Sequence, residues 1–367
     1  MDVKRMLWDV SRRWYACKIV CLVSCLIAFY VVTQSTISQT KGKDVKRQLN
    51  DGRPCTSTFL QPQRANMEKI SSYEFPDVQH YIHELFPEKP VQDTRETLSS
   101  PVFVTAYSSN HFVESKRLFE NINSIVRRQF PALKVIVYSM DLSQSLIREL
   151  LTFCQCEVRQ FRFDFYPPHV RVIYGYTWKP LVLQEVAKEH PFVVWMDTSV
   201  RFDDLDLRPF FQRAKYLGVV VSTGQGSVAM RTHTKTFEFL NEEPCAFKNA
   251  TEFQAGYIML YSNPTVTQYF MKPWVSCALT LGCMFPDYKA REYIGCGNYG
   301  EVYFDCHRFD QSILNILIRR LFGTQSDAHA IATKQYHSFC KGIDTSWYLP
   351  SFIYEKPLRE IYSETCF

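Results

Sequence analysis

A twelve-residue stretch at 191–202, PFVVWMDTSVRF, constrains the fold of this chain more than any other segment. Its four consecutive apolar residues at 192–195 include two β-branched valines, which predicts a buried strand. The sequence then turns polar at Asp197-Thr198-Ser199, so the Asp197 carboxylate would lie at the carboxyl end of that strand. Ligands of open α/β sheets bind along this edge, because the loops that follow the strands form a crevice there. A turn or a helix cap is the alternative role for an acidic residue at this position.

The segment 101–163 alternates apolar strands with amphipathic helices. Strands are predicted at 101–110, 133–138 and 158–163, and a helix opened by Asp141 or Ser143 separates the last two. The apolar helix positions predicted to face the core are Leu118, Ile122, Ile125, Val126, Phe130, Leu146, Ile147, Leu150 and Leu151. This spacing implies parallel pairing through right-handed crossovers, and hence the nucleotide-binding half of a Rossmann-like α/β sheet. Further strands are predicted at 217–222 and 251–263, and further helices at 178–189 and 308–323.

The N-terminal segment is basic and then apolar. Five cationic residues within 1–18 precede fourteen uncharged residues at 19–32, and the uncharged run continues to residue 37. This pattern predicts a type II signal anchor, with a cytosolic tail at 1–18 and a membrane span at 19–37. A cleaved signal peptide is the alternative, and in either case the bulk of the chain enters the secretory lumen. Residues 38–99 are predicted to form a solvated stem before a luminal domain at 100–367.

Composition and cysteine content narrow the class of protein. A hydrophobic content of 46% and an aromatic content of 15% exclude a disordered chain. The net charge of +5 includes the basic N-terminal cluster, and no nucleic-acid-binding signature is present. Ten of the 13 cysteines follow the predicted anchor, and an even number suits disulfides in an oxidising lumen. Metal binding is the alternative for cysteines, but Cys154-x-Cys156 has the wrong spacing for a zinc knuckle. Asn249-Ala250-Thr251 is a glycosylation sequon.

Three motifs occur in the order found in GT-A glycosyltransferases. The Asp197-Thr198-Ser199 corner resembles the Asp-x-Asp metal-binding corner of that superfamily, with Ser199 in place of the second aspartate. The segment Gln254-Ala255-Gly256 before an apolar strand resembles the segment that contacts donor or acceptor sugar. The Asp310-Gln311 pair resembles the Asp-Gln pair that lines the sugar pocket of retaining family-8-type enzymes. A well-capped helix without catalytic function is the alternative for the Asp310 segment.

Two further positions match the superfamily less closely. Lys179, near the start of a predicted helix before the central strand, resembles a basic residue that approaches the sugar diphosphate; a solvated lysine is the alternative. His337 resembles a metal-binding histidine in a C-terminal segment, although the following Gly and Lys are exchanged in order and the usual Pro-Trp is missing. The Trp-x-Asp-x-Ser corner also resembles a poorly characterised family that is abundant in nematodes and other invertebrates.

The resemblance implies a GT-A fold, a mixed and mostly parallel sheet flanked by helices. It implies a glycosyltransferase that moves a sugar from a nucleotide-sugar donor to a glycan or glycoprotein acceptor in the Golgi lumen. A divalent cation, Mn²⁺ by analogy, would assist departure of the diphosphate. The alternative is an inactive luminal domain that binds a glycan or a partner protein. The implied residues are Asp310, Gln311 and Gln254 for catalysis; Thr105, Tyr107, Asp141, Lys179, Asp197 and Gly256 for the donor; Asp197, Ser199 and His337 for the metal; and Asn249 for glycosylation.

Overall fold

The structure, a computed structural model, describes residues 55, 59, 63–87, 100–289, 296 and 306–332, together with the backbone of strands at 337–341 and 365–366. The predicted cytosolic tail, the membrane anchor and much of the predicted stem lie outside the described residues. Among the helices of the described ranges, none has both the length and the apolar character that crossing a membrane requires.

Two sheets are formed by the strands of the described residues. The larger sheet has seven strands in the order β3-β2-β1-β4-β7-β6-β8, and the smaller has three in the order β10-β9-β5. The strands are β1 Val102–Tyr107, β2 Val135–Ser139, β3 Glu157–Gln160, β4 Phe192–Met196, β5 Val200–Phe202, β6 Val219–Ser227, β7 Thr251–Tyr261, β8 Ala330–Ile331, β9 His337–Lys341 and β10 Thr365–Cys366.

The larger sheet is mixed and mostly parallel. Strand β1 pairs in parallel with β2 and with β4, and β2 pairs in parallel with β3. The carboxyl ends of these strands therefore lie along one edge, where the sequence places Asp141 and Asp197. Strand β7 runs antiparallel to both β4 and β6. The predicted mixed, mostly parallel sheet flanked by helices is confirmed.

Helices flank the larger sheet. The α-helical segments of the described residues are α1 Gln63–Ser71, α2 Gln79–Leu85, α3 Phe112–Asn121, α4 Arg127–Gln129, α5 Gln144–Leu151, α6 Trp178–Ala187, α7 Arg208–Leu217, α8 Thr234–Phe239, α9 Pro264–Val266, α10 Lys272–Leu279 and α11 Asp310–Phe322. A π-helical turn at Ile122–Val126 joins α3 to α4, and a second at Thr267–Met271 joins α9 to α10.

The core lies between the sheet and these helices. Every residue of β1, β2 and β4 is buried, as parallel strands covered on both faces require. The Ser143 hydroxyl accepts a hydrogen bond from the Leu146 amide at 3.3 Å, so Ser143 rather than Asp141 caps α5. The prediction that Leu151 is buried is wrong: Leu151 is 52% exposed at the last position of α5. Leu150 is the fully buried residue of that helix, and Leu146 and Ile147 pack against the core while partly exposed.

The folded unit extends into the range predicted as stem. Helices α1 and α2 lie there, and they bury Ile70 and Ile82. The Tyr73 hydroxyl donates to Glu242 Oε1 at 2.5 Å, and Glu242 is also paired with Arg320 of α11. These short helices have too few apolar positions to show a sustained period in the sequence, so only their packing shows that they belong to the domain.

Disulfides join eight of the ten cysteines that follow the predicted anchor. The pairs are Cys55–Cys245, Cys154–Cys156, Cys277–Cys283 and Cys296–Cys306. The predicted use of these cysteines in disulfides is therefore confirmed for these four pairs. The two others, Cys340 and Cys366, are register partners in the antiparallel backbone pairing of β9 with β10.

Candidate active site

The Asp197 corner is attached to the centre of the larger sheet. Its amide donates to the carbonyl of Gly256 at 2.8 Å, which continues the pairing of β4 with β7 past the end of β4. The indole Nε1 of Trp195 donates to Asp197 Oδ1 at 2.8 Å. Residues two apart in a strand face the same side, so the Trp-x-Asp spacing is what brings the indole to this carboxylate. The Asp197 side chain is 38% exposed, which leaves part of the carboxylate open to a ligand.

Lys179 lies in the first turn of α6 and bridges two carboxylates. Its Nζ is 3.1 Å from Asp197 Oδ1 and 2.6 Å from Asp310 Oδ2, and it donates to the carbonyl of Ala255 at 3.3 Å. The side chain is only 2% exposed, so it is not a solvated lysine. Burial lowers the pKa of Lys179, but Asp197 and Asp310 together outweigh burial and raise the pKa above its ordinary value. The ammonium is therefore charged at every physiological pH.

Asp310 begins α11 and is almost completely buried. Burial raises the pKa of Asp310 above its ordinary value, and the Lys179 ammonium and the Gln311 amide oppose that increase. Aromatic rings complete the surroundings of the ammonium: Lys179 Nζ lies 5.5 Å from the ring centre of Tyr176 and 5.3 Å from that of Trp195. The result is a desolvated cluster of one cation and two carboxylates, in which each charge interacts more strongly than it would in water.

The side chains of Gln311 and Asn315 form hydrogen bonds with the backbone of β7. Gln311 Oε1 accepts from the Ala255 amide at 3.3 Å. Asn315 accepts from the Phe253 amide at 2.6 Å and donates to the Phe253 carbonyl at 2.8 Å. The register of β6 against β7 shifts here, between Val221 and Ser222, so the strand needs partners from another element. These two side chains thus position β7 against α11.

Glu252 is a buried carboxylate that the sequence patterns do not single out. Its Oε2 accepts from Gln311 Nε2 at 2.8 Å, and its Oε1 accepts from the Gly226 amide at 3.2 Å and lies 3.8 Å from Arg231 Nε. Glu252 therefore orients Gln311 from the side opposite Ala255. An acidic residue at the start of a strand gives no local signal of this role, because its partners lie on two other elements.

Thr198 is hydrogen-bonded to α3, the helix that follows β1. The Thr198 hydroxyl donates to Glu114 of α3, and the buried guanidinium of Arg201 donates to the Thr198 carbonyl at 2.7 Å. Burial tends to raise the pKa of Glu114, but hydrogen bonds from His111 and Thr198 lower it overall. Glu114 is a second residue that sequence reasoning missed, since an acidic residue on a surface helix carries no distinguishing pattern.

The remaining predicted residues differ in how far they are exposed to solvent. Thr105 and Tyr107 are buried in β1, with exposures of 0% and 3%, so a nucleoside would reach them only if neighbouring side chains moved. Asp141 is exposed, and its Oδ1 accepts from the Ser109 amide at 2.5 Å, which joins the loops after β1 and β2. Gln254 is half-buried on β7. Asn249 is exposed, as a glycosylated residue must be.

The predicted metal ligands are Asp197, Ser199 and His337. Ser199 is half-buried two residues after Asp197. In the backbone pairing of β5 with β9, His337 is opposite Phe202, so β9 lies beside the strand that follows the corner. Among the described side chains, one group of three potential metal ligands lies close together: Cys55, Glu243 and Cys245. Its two cysteines form a disulfide with each other. The fit of the corner to a cation thus depends on one carboxylate and one hydroxyl.

One family model and several solved structures resemble this chain. The family described as "Protein of unknown function (DUF1647)" matches residues 77–184, a range that contains Lys179 but ends before Asp197. No relative is found among curated proteins.

Three of the similar solved structures illustrate the likeness. Core-mannan synthase A from Aspergillus fumigatus, in a form with Mn and GDP, is 9% identical with a TM-score of 0.43, over 67% of this chain and 76% of that one. The galactosyltransferase LgtC, in complex with donor and acceptor sugar analogues, is 14% identical with a TM-score of 0.34, over 63% and 72%. Mouse xyloside xylosyltransferase 1, in its apo form, is 11% identical with a TM-score of 0.34, over 62% and 93%. Two of the three, the galactosyltransferase and the xylosyltransferase, are glycosyltransferases by name.

Proposed function

We propose that this chain is a glycosyltransferase that uses a nucleotide-sugar donor. The observation that supports it best is the buried Lys179 ammonium, 3.1 Å from Asp197 and 2.6 Å from Asp310 at the carboxyl edge of β4. A fully desolvated lysine between two carboxylates is costly to fold, and such perturbed groups cluster at functional sites. The edge of the sheet on which they lie is where α/β folds bind ligands.

The donor would lie across the carboxyl edge of the sheet. Its nucleoside would contact the ends of β1 and β2, where Asp141 is exposed, and its diphosphate would approach Asp197. Its sugar would then lie near Gln254, Gly256 and the Asp310-Gln311 pair. Lys179 is too deeply buried to touch the diphosphate in this arrangement. It would act as a positioning residue that fixes both carboxylates and supplies a constant positive charge beneath the reacting sugar.

A divalent cation would bind at the corner. Mg²⁺-like cations often bind proteins through one or two carboxylates and complete their coordination with substrate phosphates and water. Asp197, Ser199 and His337 would hold the ion, and we propose Mn²⁺ as that ion. When bound, it would stabilise the negative charge of the departing nucleoside diphosphate. Trp195 and Lys179, which both engage Oδ1, would hold the Asp197 carboxylate in place.

The reaction would break the bond between the anomeric carbon of the donor sugar and its diphosphate oxygen, and would form a bond from that carbon to an acceptor hydroxyl oxygen. As the new glycosidic bond forms, the hydroxyl proton would pass to a phosphate oxygen of the departing nucleoside diphosphate. Asp310 and Gln311 would orient the donor sugar, because the Lys179 ammonium holds Asp310 and hydrogen bonds with Ala255 and Glu252 hold Gln311.

We further propose that the protein spans the membrane of the Golgi or another secretory compartment once, with this domain in the lumen. The basic tail, the apolar run at 19–37 and the four disulfides support that location. The second candidate function is an inactive domain that binds a glycan or a partner protein. The observation that favours this candidate is Ser199, because a neutral hydroxyl replaces the second carboxylate of the corner.

The first experiment is a thermal-shift screen of the luminal domain against a panel of nucleotide sugars, with and without Mn²⁺. A ligand at one hundred times its dissociation constant stabilises the native state by about 2.7 kcal/mol. We expect one donor class to raise the melting temperature. No response to any nucleotide sugar in a folded protein would favour the second candidate.

Calorimetry with the donor identified in this way then tests the corner itself. Asp197→Asn should abolish metal-dependent donor binding while the protein stays folded, because the charge that opposes the cation is gone. Ser199→Asp should bind Mn²⁺ more tightly, since it adds a carboxylate ligand. Ser145→Asp, on the exposed face of α5, adds the same charge elsewhere and serves as the matched control. Unchanged donor binding in Asp197→Asn would contradict the proposed role of the corner.

A further inference from the structure

An aromatic surface lies beside Lys179 and Asp310 and takes no part in the proposed donor contacts. Its four rings are Tyr176, Phe309, Phe285 and Tyr288, and we call them the aromatic platform. Successive ring centres are 6.3, 6.2 and 5.6 Å apart in that order. Phe285 and Phe309 are buried, with exposures of 0% and 2%, whereas Tyr176 and Tyr288 are 38% and 58% exposed. The phenylalanines therefore support two tyrosines that keep surface open to solvent.

The platform is held rigidly by its surroundings. Tyr176 and Phe309 both adopt positive φ, at 52° and 40°, a conformation that costs non-glycine residues about 1–3 kcal/mol each. Gly175 lets the Phe285 ring approach the backbone, since a Cβ there would lie 2.7 Å from Phe285 Cδ2. The Cys277–Cys283 disulfide ties the loop before Phe285 to α10. A strained backbone persists only where its surroundings fix it, so the packing and the disulfide hold the rings in place, which reduces the entropy that binding must overcome.

Polar groups border the rings. Arg308 is exposed next to Phe309. Burial, Asp310 and Asp197 raise the pKa of the Tyr176 phenol, and the positive charges of Lys179 and Arg308 oppose that increase. Asp287, next to Tyr288, pairs with Lys235 at 2.5 Å. A site with an apolar ring face and hydrogen-bonding groups at its border suits a ligand that is apolar on one face and hydroxylated at its edge.

The end of the platform next to Asp310 is separated from the proposed nucleoside site along the order of the larger sheet. Asp310 follows Phe309 directly, and Gln311 binds the backbone of β7 at Ala255. Asp141 instead follows β2, which β1 and β4 separate from β7 in the order of the sheet. A ligand on the platform would therefore reach the donor sugar from the side away from the nucleoside, as the acceptor must.

We infer that the aromatic platform binds a pyranose ring of the acceptor, and hence that the acceptor is a carbohydrate. The C–H groups on one face of a pyranose carry small positive charge and pack against the negative face of an aromatic ring, while its edge hydroxyls bond to charged groups. This inference rests on the proposed function, because it assigns the acceptor of that reaction. A nucleobase of the donor is the other flat ligand that such rings could bind, and the experiment separates the two.

The test is saturation-transfer NMR on the folded full-length protein, with methyl glycosides of glucose, galactose, mannose, N-acetylglucosamine, fucose and xylose as probes. At least one probe should receive saturation on the ring protons of one face. Tyr288→Ala should lower the affinity for that probe by about fivefold to tenfold, as the loss of one aromatic contact implies. Tyr288→Phe keeps the ring and should bind as the wild type does. Tyr216→Ala, which removes an 89% exposed tyrosine of α7, is the matched control and should change nothing.

The outcomes separate the platform from the proposed function. If the wild type binds a nucleotide sugar in the thermal-shift screen but no probe, or if Tyr288→Ala binds the probe as Tyr216→Ala does, the platform is overturned. Displacement of the probe by free nucleoside, with no loss of nucleoside binding in the Asp141→Asn variant, would assign the rings to the nucleobase and also overturn it. Probe binding without any donor binding would leave the platform standing and contradict the proposed function.

Discussion

Replacement of Lys179 by methionine tests whether the buried cation holds the site together. Methionine keeps the unbranched chain but removes the ammonium, which lies 2.6 Å from Asp310 and 3.1 Å from Asp197. At an effective dielectric constant near 20, these two contacts amount to about 6 and about 5 kcal/mol of gross attraction. Desolvation of the charges offsets much of this attraction, and breaking a buried pair from one side costs about 3–5 kcal/mol in total. We expect Lys179→Met to lose a free energy of unfolding in that range at pH 7.

The loss should depend on pH in a direction that the structure determines. Burial and Asp197 raise the pKa of Asp310 in the folded protein, and Lys179 opposes them. Without Lys179, folded Asp310 binds a proton at pH values where the unfolded chain has released it. The free energy of unfolding then decreases by about 1.4 kcal/mol per pH unit as the pH rises above the pKa that Asp310 has in the unfolded chain. Urea unfolding at pH 5 and pH 7 should therefore show a smaller deficit of Lys179→Met against the wild type at pH 5.

Two variants make the result interpretable. Lys235→Met breaks the ion pair with Asp287, in which each side chain is about one-third exposed. This variant should lose about 1 kcal/mol or less of the free energy of unfolding. Lys179→Met combined with Asp310→Asn removes the uncompensated charge and should recover part of the stability, which appears as coupling in a double-mutant cycle. A loss in Lys179→Met no larger than that of Lys235→Met, or one that is independent of pH, would refute the reasoning.

Four further predictions follow from individual groups. His307 is fully buried and burial lowers its pKa to about 3, so the folded state excludes a proton that the unfolded chain takes up; stability should fall by about 1.4 kcal/mol per pH unit below pH 6.5, and His307→Gln should reduce that slope in urea titrations. Glu242→Gln removes the carboxylate charge that pairs with the buried Arg320 guanidinium and should cost about 3–5 kcal/mol in denaturant unfolding, with donor affinity unchanged. Peptide mapping without reduction should show a disulfide between Cys340 and Cys366, because the two are backbone register partners and take no part in the four pairs described above. Free thiols at both positions would contradict this prediction. Intact microsomes should protect the chain beyond about residue 40 from protease, with Asn249 glycosylated, and a cytosolic domain with reduced cysteines would exclude the predicted topology.

Local patterns in the sequence determine the framework of the site. The run of β-branched and aromatic residues before Asp197 predicts a buried strand, and alternation of strands and helices predicts the parallel order of β1, β2 and β3. Both follow from short-range rules, because side-chain period and crossover handedness depend on neighbouring residues. The position of Asp197 at the carboxyl edge of the sheet therefore follows from the amino-acid sequence alone.

The pairing of charges across elements is decided only by the tertiary structure. The sequence allows Lys179 to be either a residue near the sugar diphosphate or a solvated lysine, and only folding shows that it is buried between Asp197 and Asp310. Gln311 reads as a pocket residue, and folding engages it with Ala255 and Glu252. Long-range contacts of this kind arise when the sheet brings β4, β7 and α11 together, and the energy of a buried charge depends on those partners rather than on its neighbours in the sequence.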